Sequence, residues 1–219
     1  MEKGRMNVRV VDLTREVGEG TEAYGGGEPA VRIERLMRVE SDGCELSRFS
    51  LLGCHAGTHL DSPLHFIPGG SDIASLPLRV LPATVVCARV KAVGTEAFPE
   101  AEFLAGRAVL VHTRWDVRLG TPSFYREAPF ITPDAARFLV EAGVALVGID
   151  SPSVDPFDSR DFPTHRTLLG SGVLVVEGLI NLGEVTQQRG TPYFLALPLR
   201  VRGIEGSPVR AVALFLDAD

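Results

Sequence analysis

The sequence predicts an α/β protein with more strand than helix, in one domain over residues 1–219. Three observations carry that expectation. Nine runs are rich in β-branched and apolar residues, one helix has both start and stop signals, and no interior linker or repeat divides the chain.

The elements can be justified in order. VRVVDL (8–13), VRIERLMRV (31–39), CELSRFSLL (44–52), ATVVCARV (83–90) and AVLVHT (108–113) read as strands, several of them alternating. In ITPDAARFLVEAGV, Thr132 can cap a helix and Pro133 suits its first position. Asp134 favours the positive end, and Gly143 stops it. The helix feeds ALVGID (145–150), a continuous apolar run of the kind buried on both faces. A second short helix is expected over FPTHRTLLGSG (162–172), again with glycine at its end. VLVVEGL (173–179), YFLALPLRV (193–201) and VRAVALFL (209–216) complete the strands, with Gly, Pro and Asp as punctuation.

Composition narrows the function classes. With 219 residues, 45% hydrophobic and 23% charged, the chain can bury a substantial core. The formal charge is 22 − 28 = −6 and the basic residues are scattered, which argues against a nucleic-acid partner. The start, MEKGRMNVRVVDLT, lacks the apolar stretch of a secretion signal, and no run of roughly 18 apolar residues suggests a membrane span. Cys44, Cys54 and Cys87 are odd in number and lack CxxC spacing, so reduced thiols and a cytoplasmic location are expected. Cys54 reads as small buried filler.

One stretch stands apart. GCHAGTHLDSPLHF (53–66) holds three of the five histidines and an aspartate. In an extended chain His55, Gly57, His59 and Asp61 share one face, and Gly57 leaves a gap between the histidines. A straight strand would hold the two histidine Cα atoms roughly 13 Å apart. A shared ion therefore needs a bend, easiest at Ala56–Gly57. Gly57, Thr58 and Pro63 disfavour a helix here. A lone histidine is more often structural, but this concentration of donors points to a metal site. His65 follows four residues after Asp61, once Pro63 has turned the chain. Glu177 is a carboxylate inside an apolar strand and needs a partner there. His112, in VLVHTRWD, reads as a structural residue at a strand end.

HAGTHLDSPLHF resembles the signature of the metal-dependent cyclase/hydrolase family, which includes bacterial kynurenine formamidases and isatin hydrolases. VGIDSPSVDPFDS (147–159) is similar to the family's central strand and loop. THRTLLGSGVLVVEGLINLGEV (164–185) is similar to its second ligand segment, and YFLALPLRVRGIEGSPVRAVAL (193–214) to its closing strands. The resemblance implies a strand-rich β/β/α domain of the metal-dependent cyclase type. It implies His165 and Glu177 as metal ligands beside His55, His59 and Asp61, with His65 as general acid/base. A second reading of His65 is a residue that only orients Asp61.

Five ligands exceed a closed four-coordinate zinc site. Either two ions share bridging carboxylates, or one ion takes a higher coordination number. The resemblance implies the first, with Asp61 and Glu177 as bridges and zinc as the usual metal; mixed imidazole and carboxylate donors also suit manganese. It further implies a homodimer or homotetramer.

The expected activity is hydrolysis of an aryl formamide such as N-formylkynurenine, an arylformamidase step of tryptophan catabolism. Ring opening of a cyclic amide such as isatin is the nearest alternative. A metal-stabilised binding protein without turnover is a third, against which His65 argues. No G-x-S-x-G elbow occurs, so a serine nucleophile is not expected. Tyr24, Phe66 and Trp115 are candidate substrate-binding residues, with Phe157 as a further aromatic wall. Tyr24 lies beside Gly25, Gly26 and Gly27, in an expected exposed loop. Kynurenine formamidases typically carry Trp at the position that Tyr24 matches.

Overall fold

Two kinds of strand build the central sheet: short runs apolar on both faces, and longer alternating ones. The computed structural model describes residues 7–22, 24, 25 and 30–217. Residues 1–6 of the N-terminal reading, and Gly26 and Gly27 of the glycine run, lie outside the described residues.

The chain opens with β1 (Asn7–Asp12), then a hairpin of β2 (Val31–Met37) and β3 (Leu46–Leu51) around a one-turn helix α1 (Val39–Asp42). β4 (His59–Asp61) and β5 (Leu81–Cys87) follow, then β6 (Ala92–Val93), β7 (Ala108–His112) and β8 (Phe130–Ile131). Next come α2 (Pro133–Glu141), β9 (Leu146–Ile149), α3 (Pro163–Gly170) and β10 (Leu174–Glu177). The chain closes with α4 (Leu182–Gln187), β11 (Tyr193–Pro198) and β12 (Gly206–Asp217). Each of the nine expected strands and both expected helices is present. The very short β4, β6 and β8, and the helices α1 and α4, carry no comparable pattern in the sequence.

The sheet runs β1-β12-β11-β5-β7-β9-β10-β4, and β4 also pairs with β12. Seven strands thus close into a barrel-like ring, with β1 added along β12. β5, β7, β9 and β10 are mutually parallel; the other pairings of this sheet are antiparallel. β12 makes the closure. Its residues 206–208 pair with β4, whereas residues 209–214 pair with β11.

The parallel strands bury both faces. Ala108, Leu110, Leu146, Leu174 and Val176 point into the ring, where they meet Leu60, Phe194 and Phe215. Val109, Val111, Val147, Ile149 and Val175 point outward and pack against Ala135, Leu139, Leu168 and Leu169 of α2 and α3. A βα connection suits this arrangement, because a helix must cover each outer face. α2 starts as expected: the Thr132 side chain accepts from Ala135 N and Pro133 opens the helix. α3 opens instead on Phe162 in the left-handed region, with Pro163 after it.

Period-two alternation decides which side the polar residues take. On β4, Leu60 enters the ring, so His59 and Asp61 emerge on the outer face. On β10, Val176 enters the ring, so Glu177 emerges beside Val175. The register sets Glu177 opposite His59 and Val175 opposite Asp61. Just past this pairing the two chains nearly touch. Gly57 and Gly178 each adopt φ +68°, and a Cβ on Gly178 would stand 2.6 Å from the Gly57 carbonyl oxygen. Gly178 N donates to Ser151 O at 2.9 Å, and its carbonyl accepts from Thr58 Oγ1 at 2.6 Å.

Gly178→Ala is therefore expected to destabilise the protein by at least about 1–2 kcal/mol, from the left-handed backbone alone. Urea unfolding measures this, and an unchanged midpoint would contradict the close approach.

Candidate metal centre and cavity

The bend expected at Ala56–Gly57 is present, since Gly57 takes a left-handed conformation and only residues 59–61 are strand. The bend brings His55 back over the strand. Its ring centroid lies 5.0 Å from that of His59, and its Nδ1 is 2.9 Å from Asp61 Oδ1. The distant residues arrive from two other elements. Glu177, at the end of β10, places Oε2 3.2 Å from His59 Nε2. His165, in the first turn of α3, places Nε2 3.0 Å from Glu177 Oε1 and 3.4 Å from Asp61 Oδ2. The structure thus brings together all five residues His55, His59, Asp61, His165 and Glu177.

They form two overlapping groups that could hold a metal ion: His55, His59 and Asp61, and Asp61, His165 and Glu177. Asp61 belongs to both. His59, Asp61, His165 and Glu177 are each no more than 3% exposed. His55 Nε2, His59 Nε2 and both Asp61 oxygens are buried and make no well-aligned hydrogen bond, meeting only other charged or ionisable groups in close ion-pair contacts. Buried polar atoms are nearly always satisfied, so four orphans in one cluster call for a missing partner. Because the orphans include imidazole nitrogens and carboxylate oxygens, a divalent cation fits the set better than a water molecule would.

Neighbouring groups orient the rings. His59 Nδ1 lies 3.1 Å from Gly57 O. A carbonyl can only accept, so Nδ1 carries the proton and Nε2 faces the cluster. His165 Nδ1 lies 2.7 Å from Asp155 Oδ2. Val154 N donates to Glu177 Oε1 at 2.6 Å.

Without a cation the cluster is held by charge exchange among its members. Burial pushes Asp61 up, but the His165 and His55 imidazoles overcome it and hold the carboxyl well below its ordinary range. Burial opposes the charging of His59, yet the adjacent Glu177 carboxylate and the Asp61 charge raise it to about 9. His165 is likewise raised well above its ordinary value, against burial, chiefly by the Glu177 charge and the Asp155 hydrogen bond.

His65 is different. It ends the 3-10 turn Pro63–His65, and its ring stacks on His55 at 4.2 Å between centroids. Burial, the largest cause, lowers it to about 4. It faces the same cavity as the cluster but belongs to neither metal-holding group.

That cavity, of about 260 Å3, is lined by Tyr24, His55, His59, His65, Phe66, Ser153, Phe162, His165 and Glu177. Tyr24 and Phe66, two of the expected substrate-binding residues, are in its wall. Burial, with Glu177 nearby, pushes the Tyr24 hydroxyl up to about 12. Trp115 does not line the cavity: its indole N–H donates to Phe124 O at 2.8 Å, under the Arg118 guanidinium. Phe157 stands behind Tyr24, with centroids 5.9 Å apart, rather than in the wall. Phe162 is the wall residue that sequence reasoning missed. Its one signal is its place just before Pro163, at the mouth of the helix that carries His165. Asp155 was missed as well. His112 is a strand-end residue as read, with Nδ1 3.1 Å from Asp150 Oδ2. Cys54 is half-buried rather than buried, because it sits at the turn before His55.

A closed, mixed sheet with a buried imidazole–carboxylate cluster on its helix-covered face defines a strand-rich α/β protein with a site able to hold metal. The chain belongs to the Cyclase family, whose model, described as "Putative cyclase", matches residues 11–156. It is 37% identical over 208 residues to a kynurenine formamidase of Salinibacter ruber, covering 93% of this chain and 96% of that one. A solved potential metal-dependent hydrolase with cyclase activity has a TM-score of 0.78 at 28% identity, covering 95% of this chain and 98% of that one. An isatin hydrolase bound to the product analogue thioisatinate has a TM-score of 0.81 at 25% identity, covering 96% and 93%. Among the described residues no helix is long and apolar enough to cross a membrane.

The His59 shift makes a prediction for chelator-treated protein. Its folded value, about 9, lies above the unfolded value of about 6.5. The stabilisation is thus fully present below pH 6.5 and is lost as the pH rises through 9. The thermal midpoint of metal-free protein is expected to fall between pH 6.5 and 9.5. A flat midpoint over this range would rule out the imidazolium–carboxylate arrangement.

Proposed function

We propose that the protein is a metal-dependent amidohydrolase that cleaves an aryl formamide such as N-formylkynurenine, with residues 1–219 working as one domain. The observation that carries this reading is the meeting of His55, His59, Asp61, His165 and Glu177, from three separate segments, beside His65 in an aromatic-walled cavity. The likeness to a kynurenine formamidase supports the substrate class. The likeness to an isatin hydrolase favours a second reading, ring opening of a cyclic amide, which needs the same bond cleavage.

Two zinc ions fit the two donor groups, with Asp61 shared between them; manganese suits the same donors. When bound, such a cation would acidify water and polarise the substrate carbonyl. The chain's own residues supply the rest. Tyr24, Phe66 and Phe162 wall the cavity and hold an aromatic ring. His65, neutral near pH 7, accepts a proton from the water that attacks the carbonyl carbon. It returns the proton to the amide nitrogen as the C–N bond breaks.

A homodimer is part of this proposal. The β2–β3 hairpin leaves Ile33, Leu46 and Phe49 exposed, and a two-stranded hairpin is marginal in water unless an apolar face is covered. A cytoplasmic location accords with free Cys44, Cys54 and Cys87.

Turnover of N-formylkynurenine and isatin by zinc- and manganese-loaded protein tests the activity; no turnover of either substrate in either form would reject both readings. His65→Ala is expected to lose about 10²–10⁴-fold in kcat while elemental analysis finds the metal retained. Metal lost together with activity would instead make His65 a ligand.

A further inference from the structure

We propose that Asp155 is a positioning residue for His165: it fixes a ring proton on Nδ1 and so leaves Nε2, on the side of Asp61 and Glu177, as the nitrogen whose lone pair a metal ion would take. The inference rests on the reading of the cluster as a metal centre.

Asp155 is 2% exposed and lies on none of the strands or helices that supply the five donors. Its Oδ1 accepts from Thr164 N at 3.0 Å. Its Oδ2 accepts from His165 N at 2.9 Å and meets His165 Nδ1 at 2.7 Å. The two backbone amides aim their protons at the carboxylate, which pins the carboxylate as an acceptor. The ring nitrogen facing it must then bring the proton. That leaves Nε2, 3.0 Å from Glu177 Oε1 and 3.4 Å from Asp61 Oδ2, as the nitrogen that would give up its proton and offer a lone pair to a bound cation. A metal takes a lone pair, so this tautomer can ligate and the opposite one cannot. In the opposite tautomer the Nδ1 lone pair would face a carboxylate oxygen in a buried, low-dielectric place.

The segment that carries Asp155 is itself anchored. Ser151 Oγ donates to Pro129 O, Ile131 N donates to Val154 O, and Asp155 N donates to Ser153 Oγ. Val154, one residue earlier, gives its amide to Glu177 Oε1. Two consecutive residues of one loop therefore fix both ligands that lie far from the histidine motif. Asparagine at this position keeps the shape but has one accepting oxygen for three donors. Its amide group would set N–H against N–H at the ring or at the helix amides.

The test measures zinc affinity by competition with a chromogenic chelator in wild type, Asp155→Asn and His165→Ala, with circular dichroism as a check on folding. Asp155→Asn is expected to bind zinc about 10- to 100-fold more weakly. In the zinc-loaded wild type, long-range 15N–1H NMR of the imidazoles is expected to show the His165 proton on Nδ1, a signature that a merely structural role would not fix. If wild type binds no zinc, the metal reading falls and this inference falls with it. If wild type binds zinc and His165→Ala weakens it while Asp155→Asn matches wild type, the inference alone is overturned. Should Asp155→Asn fail to fold, the NMR measurement decides: a proton on Nε2 of His165, or none on Nδ1, overturns the proposal.

Discussion

Two carboxylates, Asp61 and Glu177, are buried side by side on the outer face of a closed sheet, and the surroundings are organised to compensate them. An isolated buried charge is very costly. Here the compensation comes from imidazoles that burial alone would keep neutral, and whose pKa values are raised by those same carboxylates. Such an arrangement is tense without a cation: four of its buried polar atoms make no well-aligned hydrogen bond. It suits one with a cation, because each donor then offers a lone pair to a common centre. His65 escapes this exchange. It lies beside the cluster yet is governed mainly by burial, which keeps its ring neutral near pH 7.

The closed ring makes that burial possible. β4 is only three residues long, yet it pairs on both sides, with β10 and with β12. Its backbone is thereby satisfied, and its side chains must alternate strictly between the ring interior and the outer face. Leu60 anchors the strand from within while His59 and Asp61 face α3. A slip of one residue in this register would bury two polar side chains inside the ring and turn a leucine outward. Core packing and site geometry are therefore the same constraint seen from two faces. Gly57 and Gly178 belong to it too, since they let the two strand ends come close enough for the cluster to form.

The local part of the site was legible in the sequence. His55, His59, Asp61 and His65 lie within eleven residues, and the glycine between the histidines marks the bend that the backbone makes. His165 and Glu177 were legible only through resemblance, because nothing in their own neighbourhoods says which element lies against β4. Aromatic residues were the poorest guide. Trp115 and Phe157 have the size and character of cavity walls, but a ring's direction depends on neighbours far away in the chain. Both turn elsewhere, and Phe162 takes the place. Asp155, Asp158 and Asp161 are close in sequence, and only the folded loop separates the buried one from its solvent-facing neighbours.

Nine of the strands, the helices α2 and α3, the helix cap at Thr132 and the donor-rich turn before β4 could be read from the sequence, since these follow from side-chain period and from contacts a few residues apart. Tertiary packing alone settled that β12 closes the ring, that β10 sets Glu177 opposite His59, and that one loop holds both His165 and Glu177. Those outcomes depend on which buried surfaces meet, and that is a property of the whole packed chain rather than of any stretch of it.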